Sequence, residues 1–204
     1  MNVLGAEVYV HVTLSPMDRT APAIRPLQRD EYEQLIAIGR LADERVELVA
    51  GRMVTMSPQG SRHLAVVRRM ATALRRQVPA EHDVTARSPL ALGALSMPEP
   101  DVAITPPVSD REYPRDAVLV VEVADSSLAY DLGVKARLYA AARVPTYWLV
   151  DLTRDEVRVH TGPDGEGDSA SYREVSTLDA SGVLRLAAFP AVAIEIAAML
   201  RSPL

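Results

Sequence analysis

The stretch Ala117–Ala124 reads Ala-Val-Leu-Val-Val-Glu-Val-Ala, apolar at every position but Glu122. A strand that is apolar on both alternating faces must be covered on both sides, which demands a sheet with further layers packed against each face. Asp125-Ser126-Ser127 then offers caps for a helix from about Leu128 to Arg143, and Pro145–Asp151 reads as another strand. Strand, helix and strand in that order predict a right-handed crossover. The class is therefore α/β or α+β around one mixed central sheet flanked by helices.

The remaining segments fit around that unit. Asp30–Ile38 is a short helix ending at Gly39, and Arg45–Val49 and Arg52–Met56 flank Ala50-Gly51 as a hairpin. Ser61–Val78 is the clearest amphipathic helix, with His63, Val67, Met70 and Leu74 on one face and Val66 and Ala73 beside them. His82–Arg87 and Asp101–Thr105 read as strands. Glu156–His160, Ser171–Val175 and Val183–Leu186 read as an antiparallel meander before a short apolar C-terminal segment. Residues 1–29 form a separate arm, with an alternating strand at Glu7–Val12 and a linker carrying Pro16, Pro22 and Pro26; residues 30–204 form the main domain.

Composition removes several classes. The chain of 204 residues has no Cys, which excludes disulfide scaffolds, zinc ribbons and thiol nucleophiles and suits the cytoplasm. No run approaches the ~18 apolar residues of a membrane span, and Met1–Leu14 lacks the basic start of a secretory signal. With a formal charge of -5, contact with nucleic acid requires a local basic patch. Arg62, Arg68, Arg69, Arg75 and Arg76 supply one, on the polar side of the Ser61–Val78 helix. That face is either a solvated outer surface or a phosphate-contacting stripe.

Four positions could carry chemistry: Glu47 in the hairpin, Asp101 after Pro100, Glu122 in the buried strand and Lys135 on the following helix. A buried carboxylate costs several kcal/mol unless it is neutralised, paired or bound to a cation. Asp101 and Glu122 on neighbouring strands suit a hard divalent ion such as Mg²⁺, and an ammonium nearby suits orienting water and offsetting developing charge. Lys135 is the only lysine among 22 basic residues. It marks a place where a compact ammonium is required, or is retained by chance on a helix surface. The bland alternative for the site is an internal Glu122–Lys135 pair, or an Asp131–Lys135 pair one helical turn apart.

Several stretches in order carry a resemblance: Glu47-Leu-Val-Ala-Gly51, Met56-Ser-Pro58, Ser61-Arg-His63, Pro100-Asp101-Val102, Val121-Glu122-Val123 with Ser126-Ser127, Asp131, Lys135, Tyr139, and Tyr147-Trp148-Leu149-Val150-Asp151. From about Asp30 to Phe189 the chain resembles the Uma family of putative restriction endonucleases, a branch of the PD-(D/E)XK nuclease superfamily. The resemblance implies a restriction-endonuclease-like core and a metal-dependent phosphodiesterase site. On this chain Asp101 and Glu122 match the metal ligands, Lys135 matches a catalytic lysine relocated to the helix, and Glu47 matches the auxiliary acid. The superfamily places its lysine two residues after the second acid, where this chain has Ala124.

Two readings follow. The first is an endodeoxyribonuclease dependent on Mg²⁺ or Mn²⁺, with DNA, expected to be double-stranded, as substrate and a homodimer as the acting form. The second is a nuclease-like scaffold serving as a binding or dimerisation module. His63 is either a core histidine or a group facing the nucleic acid. Tyr147 and Trp148 are expected in the core and its rim, with base stacking as the alternative.

Overall fold

The computed structural model describes residues 24–201, so the strand expected at Glu7–Val12 lies outside the described residues. Helix α1, Arg29–Ala37, is followed by strands β1, Val46–Val49, and β2, Arg52–Thr55. Ala50 and Gly51 both adopt positive φ, 49° and 74°, as a two-residue turn with the twist of a hairpin requires. Glycine is compulsory at the second position for another reason as well: a Cβ there would lie 2.3 Å from the Cβ of Pro26. Leu27 N–H donates to the Gly51 carbonyl at 3.0 Å, so the chain entering α1 is laid directly on the turn.

Helix α2, Ser61–Arg75, buries His63, Val66, Val67, Met70, Ala71 and Leu74, the stripe expected from its periodicity. It leads to β3, Asp83–Thr85, β4, Val102–Thr105, and β5, Leu119–Ala124. The crossover is not one regular helix. Helix α3, Leu128–Tyr130, passes through a π-helical turn, Asp131–Lys135, into helix α4, Ala136–Ala141. The widened turn is satisfied locally: Ala136 N–H reaches the Asp131 carbonyl five residues back, and the Tyr147 hydroxyl donates to the same oxygen at 3.2 Å. Such single-turn insertions are frequent at functional sites.

Strands β6, Thr146–Asp151, β7, Glu156–Asp164, and β8, Ser171–Leu178, complete a six-stranded sheet in the order β3-β4-β5-β6-β7-β8. Only β5 and β6 run parallel; every other neighbouring pair is antiparallel. The expected C-terminal meander divides. β7 and β8 extend the main sheet, whereas β9, Val183–Leu186, pairs separately with β10, Phe189–Glu195, ahead of helix α5, Ile196–Leu200. β10 was hidden in the sequence because Pro190 interrupts it and its register shifts between Phe189 and Ala193.

The alternation of β5 sorts the core into two layers. Leu119, Val121 and Val123 pack with α2, the β9–β10 hairpin and α5, while Val120 and Ala124 pack with Ala136, Tyr139 and Ala140 of the crossover. Glu122 has the parity of Val120 and so projects toward the crossover helix. Tyr147 and Trp148 are wholly buried, which excludes both from stacking on a base. Gly51→Val is expected to cost at least ~1–3 kcal/mol through forced positive φ and the Pro26 clash. A urea unfolding midpoint equal to that of the unsubstituted protein would show that the hairpin turn is not constrained in this way.

Candidate active site

Strand pairing sets the centre of the site. β4 and β5 pair Val102 with Val121, so Asp101, one residue before β4, falls opposite Glu122. Val123 N–H donates to Asp101 Oδ2 at 2.9 Å, and Asp101 N–H approaches Glu122 Oε2 at 3.3 Å. The hairpin brings Glu47 of β1 to the same place, and Glu99 N–H donates to its Oε2 at 3.1 Å. Lys135, at the end of the π turn, donates to Glu47 Oε2 at 2.6 Å and to Glu122 Oε1 at 3.2 Å. All four positions chosen from the sequence therefore meet, and each side chain is at most 8% exposed.

Each of the two central carboxylates has one oxygen held by internal donors. Glu122 Oε1 accepts from Tyr139 Oη at 2.6 Å as well as from Lys135. Asp101 Oδ2 lies 3.0 Å from His63 Nε2 in addition to the Val123 amide. His63 is buried in the first turn of α2, where its ring touches Asp101 and lines the same cavity. Asp101 Oδ1 takes no hydrogen bond among the described residues, and Glu122 Oε2 has only the long contact to the Asp101 amide. A cavity of about 300 Å³ opens on this centre, lined also by Glu99, Tyr130, Asp131 and the Asp125-Ser126-Ser127 loop.

The electrostatics favour a cation. Burial raises the Glu122 carboxyl to about 8, with the Lys135 ammonium opposing the rise and Asp101, Asp131 and Glu47 adding to it. Burial likewise lifts Asp131 to about 6 despite the hydrogen bond its Oδ2 accepts from Ser127 at 2.6 Å. Burial works against the Lys135 charge, yet Glu122 and Glu47 together raise its affinity for the proton above that of an ordinary lysine. Six carboxylates, Glu47, Glu99, Asp101, Glu122, Asp125 and Asp131, line the cavity with one ammonium. Hard oxygen donors in acid excess fit a Mg²⁺-type ion. Among the described residues no three His, Asp or Glu side chains converge on one point as a metal cage. A cation there would take few protein ligands and complete its shell with water or substrate oxygens, as Mg²⁺ commonly does.

The arginines chosen from the sequence do not enter this cavity. Arg62 donates to the Leu152 carbonyl at 2.6 Å and pairs with Asp155, and Arg75 donates to the Val84 carbonyl at 3.1 Å. Arg68, Arg69 and Arg76 line a different groove. Sequence reasoning missed Glu99 and Tyr130. Glu99 had a visible signal, an acid set between Pro98 and Pro100 directly before Asp101; Tyr130 had none beyond its place one helical turn before Lys135.

Residues 29–198 match the Uma2 family, described as "Putative restriction endonuclease", and the chain belongs to that family. Among solved structures it is similar to a protein described as a putative nuclease belonging to DUF820 from Anabaena variabilis ATCC 29413, with a TM-score of 0.64 at 13% identity over 86% of this chain and 98% of that one. This likeness establishes a nuclease-like fold. No curated protein matches the sequence.

The raised Glu122 carboxyl has a defined sign in stability. Its folded value lies above the ordinary 4.5, so the folded state holds the proton more tightly. The associated stability is fully present below about pH 4.5 and is lost as pH rises to about 8. Metal-free protein is therefore expected to lose stability across that window, and Glu122→Gln to lose less of it. Parallel slopes for the two proteins in denaturant titrations at pH 5, 6, 7 and 8 would contradict the assignment.

Proposed function

We propose that the protein is a metal-dependent endonuclease that hydrolyses phosphodiester bonds of double-stranded DNA. The observation that supports this reading best is the convergence of Asp101, Glu122, Glu47 and Lys135 on one buried, acid-rich cavity in a chain of this family. Asp101 and Glu122 would hold Mg²⁺, with Mn²⁺ as a substitute. Such an ion supplies Lewis-acid polarisation of a phosphoryl oxygen and a bound water of lowered pKa.

The chain's own groups perform the rest. His63 and the Val123 amide fix one oxygen of Asp101, and Tyr139 and Lys135 fix one of Glu122, so that each carboxylate presents its other oxygen in a set direction. The Lys135 ammonium stays charged, orients the attacking water, and offsets negative charge as the new P–O bond forms and the bond to the leaving sugar oxygen breaks. Glu47 holds the ammonium together with Glu122. Burial keeps bulk water out of the cluster and strengthens these interactions.

A two-fold homodimer would present one such cavity to each strand. No helix among the described residues is long and apolar enough to cross a membrane, and a cytoplasmic placement suits a DNA substrate.

One observation favours a second reading, a nuclease-like scaffold that binds or dimerises without cleavage: Lys135 is paired on both sides by carboxylates within the protein. The two readings separate cleanly. Under the nuclease reading, Mg²⁺ or Mn²⁺ binds by calorimetry, Glu122→Gln abolishes that binding, and Lys135→Ala lowers DNA cleavage by on the order of 10²–10³-fold without abolishing metal binding. Under the scaffold reading no metal binds, and removing either partner costs ~3–5 kcal/mol of stability as a broken buried pair. Cleavage that survives Glu122→Gln would sink the nuclease assignment.

A further inference from the structure

Helix α2 and its flanks carry no acid between Ser57 and Ala80, and the fold divides their arginines into two groups. Arg62 and Arg75 are bonded to protein carbonyls, with Arg62 also paired to Asp155. Arg68, Arg69 and Arg76 line an open groove of about 500 Å³ between α2 and the β10–α5 segment, away from the catalytic cavity, and of these three only Arg69 is also bonded to a carbonyl among the described residues. The groove has a built floor. Gln77 Oε1 accepts from Ala193 N–H at 2.9 Å while its Nε2 donates to the Ala73 carbonyl at 3.2 Å, fixing β10 against the helix.

Charge in this groove is poorly compensated. Glu195 is the one carboxylate on its lining, and among the described residues it forms no ion pair with the three guanidinium groups. Arg69 donates to the Arg201 carbonyl, while its Nε is buried with no hydrogen-bond partner. Arg68 and Arg76 are exposed. The exposed guanidinium groups of Arg68 and Arg76, lining one groove, match the charge and hydrogen-bonding needs of phosphate oxygens.

Arg68 and Arg76 lie five and thirteen residues beyond His63, along α2 and at its C-cap, exposed on the polar side of the helix while His63 is on its buried face. We infer that the Arg68–Arg69–Arg76 groove holds the phosphodiester backbone of a DNA duplex, as a phosphate-contacting surface separate from the catalytic cavity. The identity of the ligand rests on the nuclease reading above; the binding itself is testable without cleavage.

The test is fluorescence anisotropy with a fluorescein-labelled duplex of about three helical turns, in EDTA, over a series of NaCl concentrations. Three proteins are compared: the unsubstituted chain, Arg68→Ala/Arg76→Ala, and Arg111→Ala/Arg115→Ala, which removes two exposed arginines from the β4–β5 connection. The groove variant is expected to bind at least tenfold more weakly and to flatten the salt dependence by about 0.9 per lost phosphate contact, with an unchanged melting temperature. The connection variant is expected to keep the original slope. Equal losses in both variants, an unaffected groove variant, or an unsubstituted protein that fails to bind duplex would each overturn the inference. Mn²⁺-dependent hydrolysis of bis(p-nitrophenyl) phosphate, a diester too small to bridge cavity and groove, reads the catalytic site separately. Hydrolysis retained with groove-independent binding removes the groove alone; groove-dependent binding with no hydrolysis supports the groove and removes the nuclease reading.

Discussion

Lys135 Nζ lies within hydrogen-bond reach of carboxylates from two different sheets, Glu47 on the β1–β2 hairpin and Glu122 on the central strand β5. Taking one ammonium and two carboxylates out of water is expensive, and the attraction among them offsets that cost only where geometry is close and the remaining donors and acceptors are engaged. The surrounding structure meets that condition for one oxygen of each carboxylate: Tyr139 adds a donor to the Glu122 oxygen that Lys135 reaches, and the Glu99 amide adds one to the Glu47 oxygen. The small hairpin, which shares no strand ladder with the main sheet, is joined to it through this cluster and is bridged by Leu48–Met97 to the segment that leads into β4.

The π turn makes the cluster possible. Ala124, the next residue of β5 on the same face as Glu122, carries no charge, and the ammonium beside Glu122 comes from the crossover helix. Asp131 and Lys135, at the two ends of the widened turn, are both buried against the sheet. The backbone cost of the irregular turn is contained because the Tyr147 hydroxyl adds a donor to the Asp131 carbonyl. A residue of the central sheet thus supports the helix that supplies the charged group, and core packing and site geometry become one problem.

The parts legible in the sequence were those governed by periodicity and by desolvation. A carboxylate inside Val-Leu-Val-Val had to have a partner, and a lone lysine on the next helix was the available one. The stripe on α2 and the Ala50-Gly51 turn were equally plain. Other features left no such trace. His63 reads as a core residue because its spacing places it on the buried face, but spacing cannot tell packing among aliphatic groups from contact with Asp101. Glu99 stands out between two prolines, but it sits outside any strand or helix, so no periodicity placed it beside Glu47. The arginines looked like one stripe, yet carbonyls of Leu152, Val84 and Arg201 engage Arg62, Arg75 and Arg69, and of the stripe only Arg68, Arg69 and Arg76 line the groove.

By itself the sequence determined the layered mixed sheet, the burial of Glu122 and the family to which the chain belongs. These follow from local order, since alternation and helical spacing decide which side of an element leaves water. Only the tertiary structure decided which oxygen of each carboxylate is held and which is open, how the helix widens to deliver Lys135, and where the arginines divide. Those outcomes depend on atoms brought together from segments as far apart as Glu47 and Lys135. Their positions are set by strand register and by packing between layers, which no local stretch of sequence encodes.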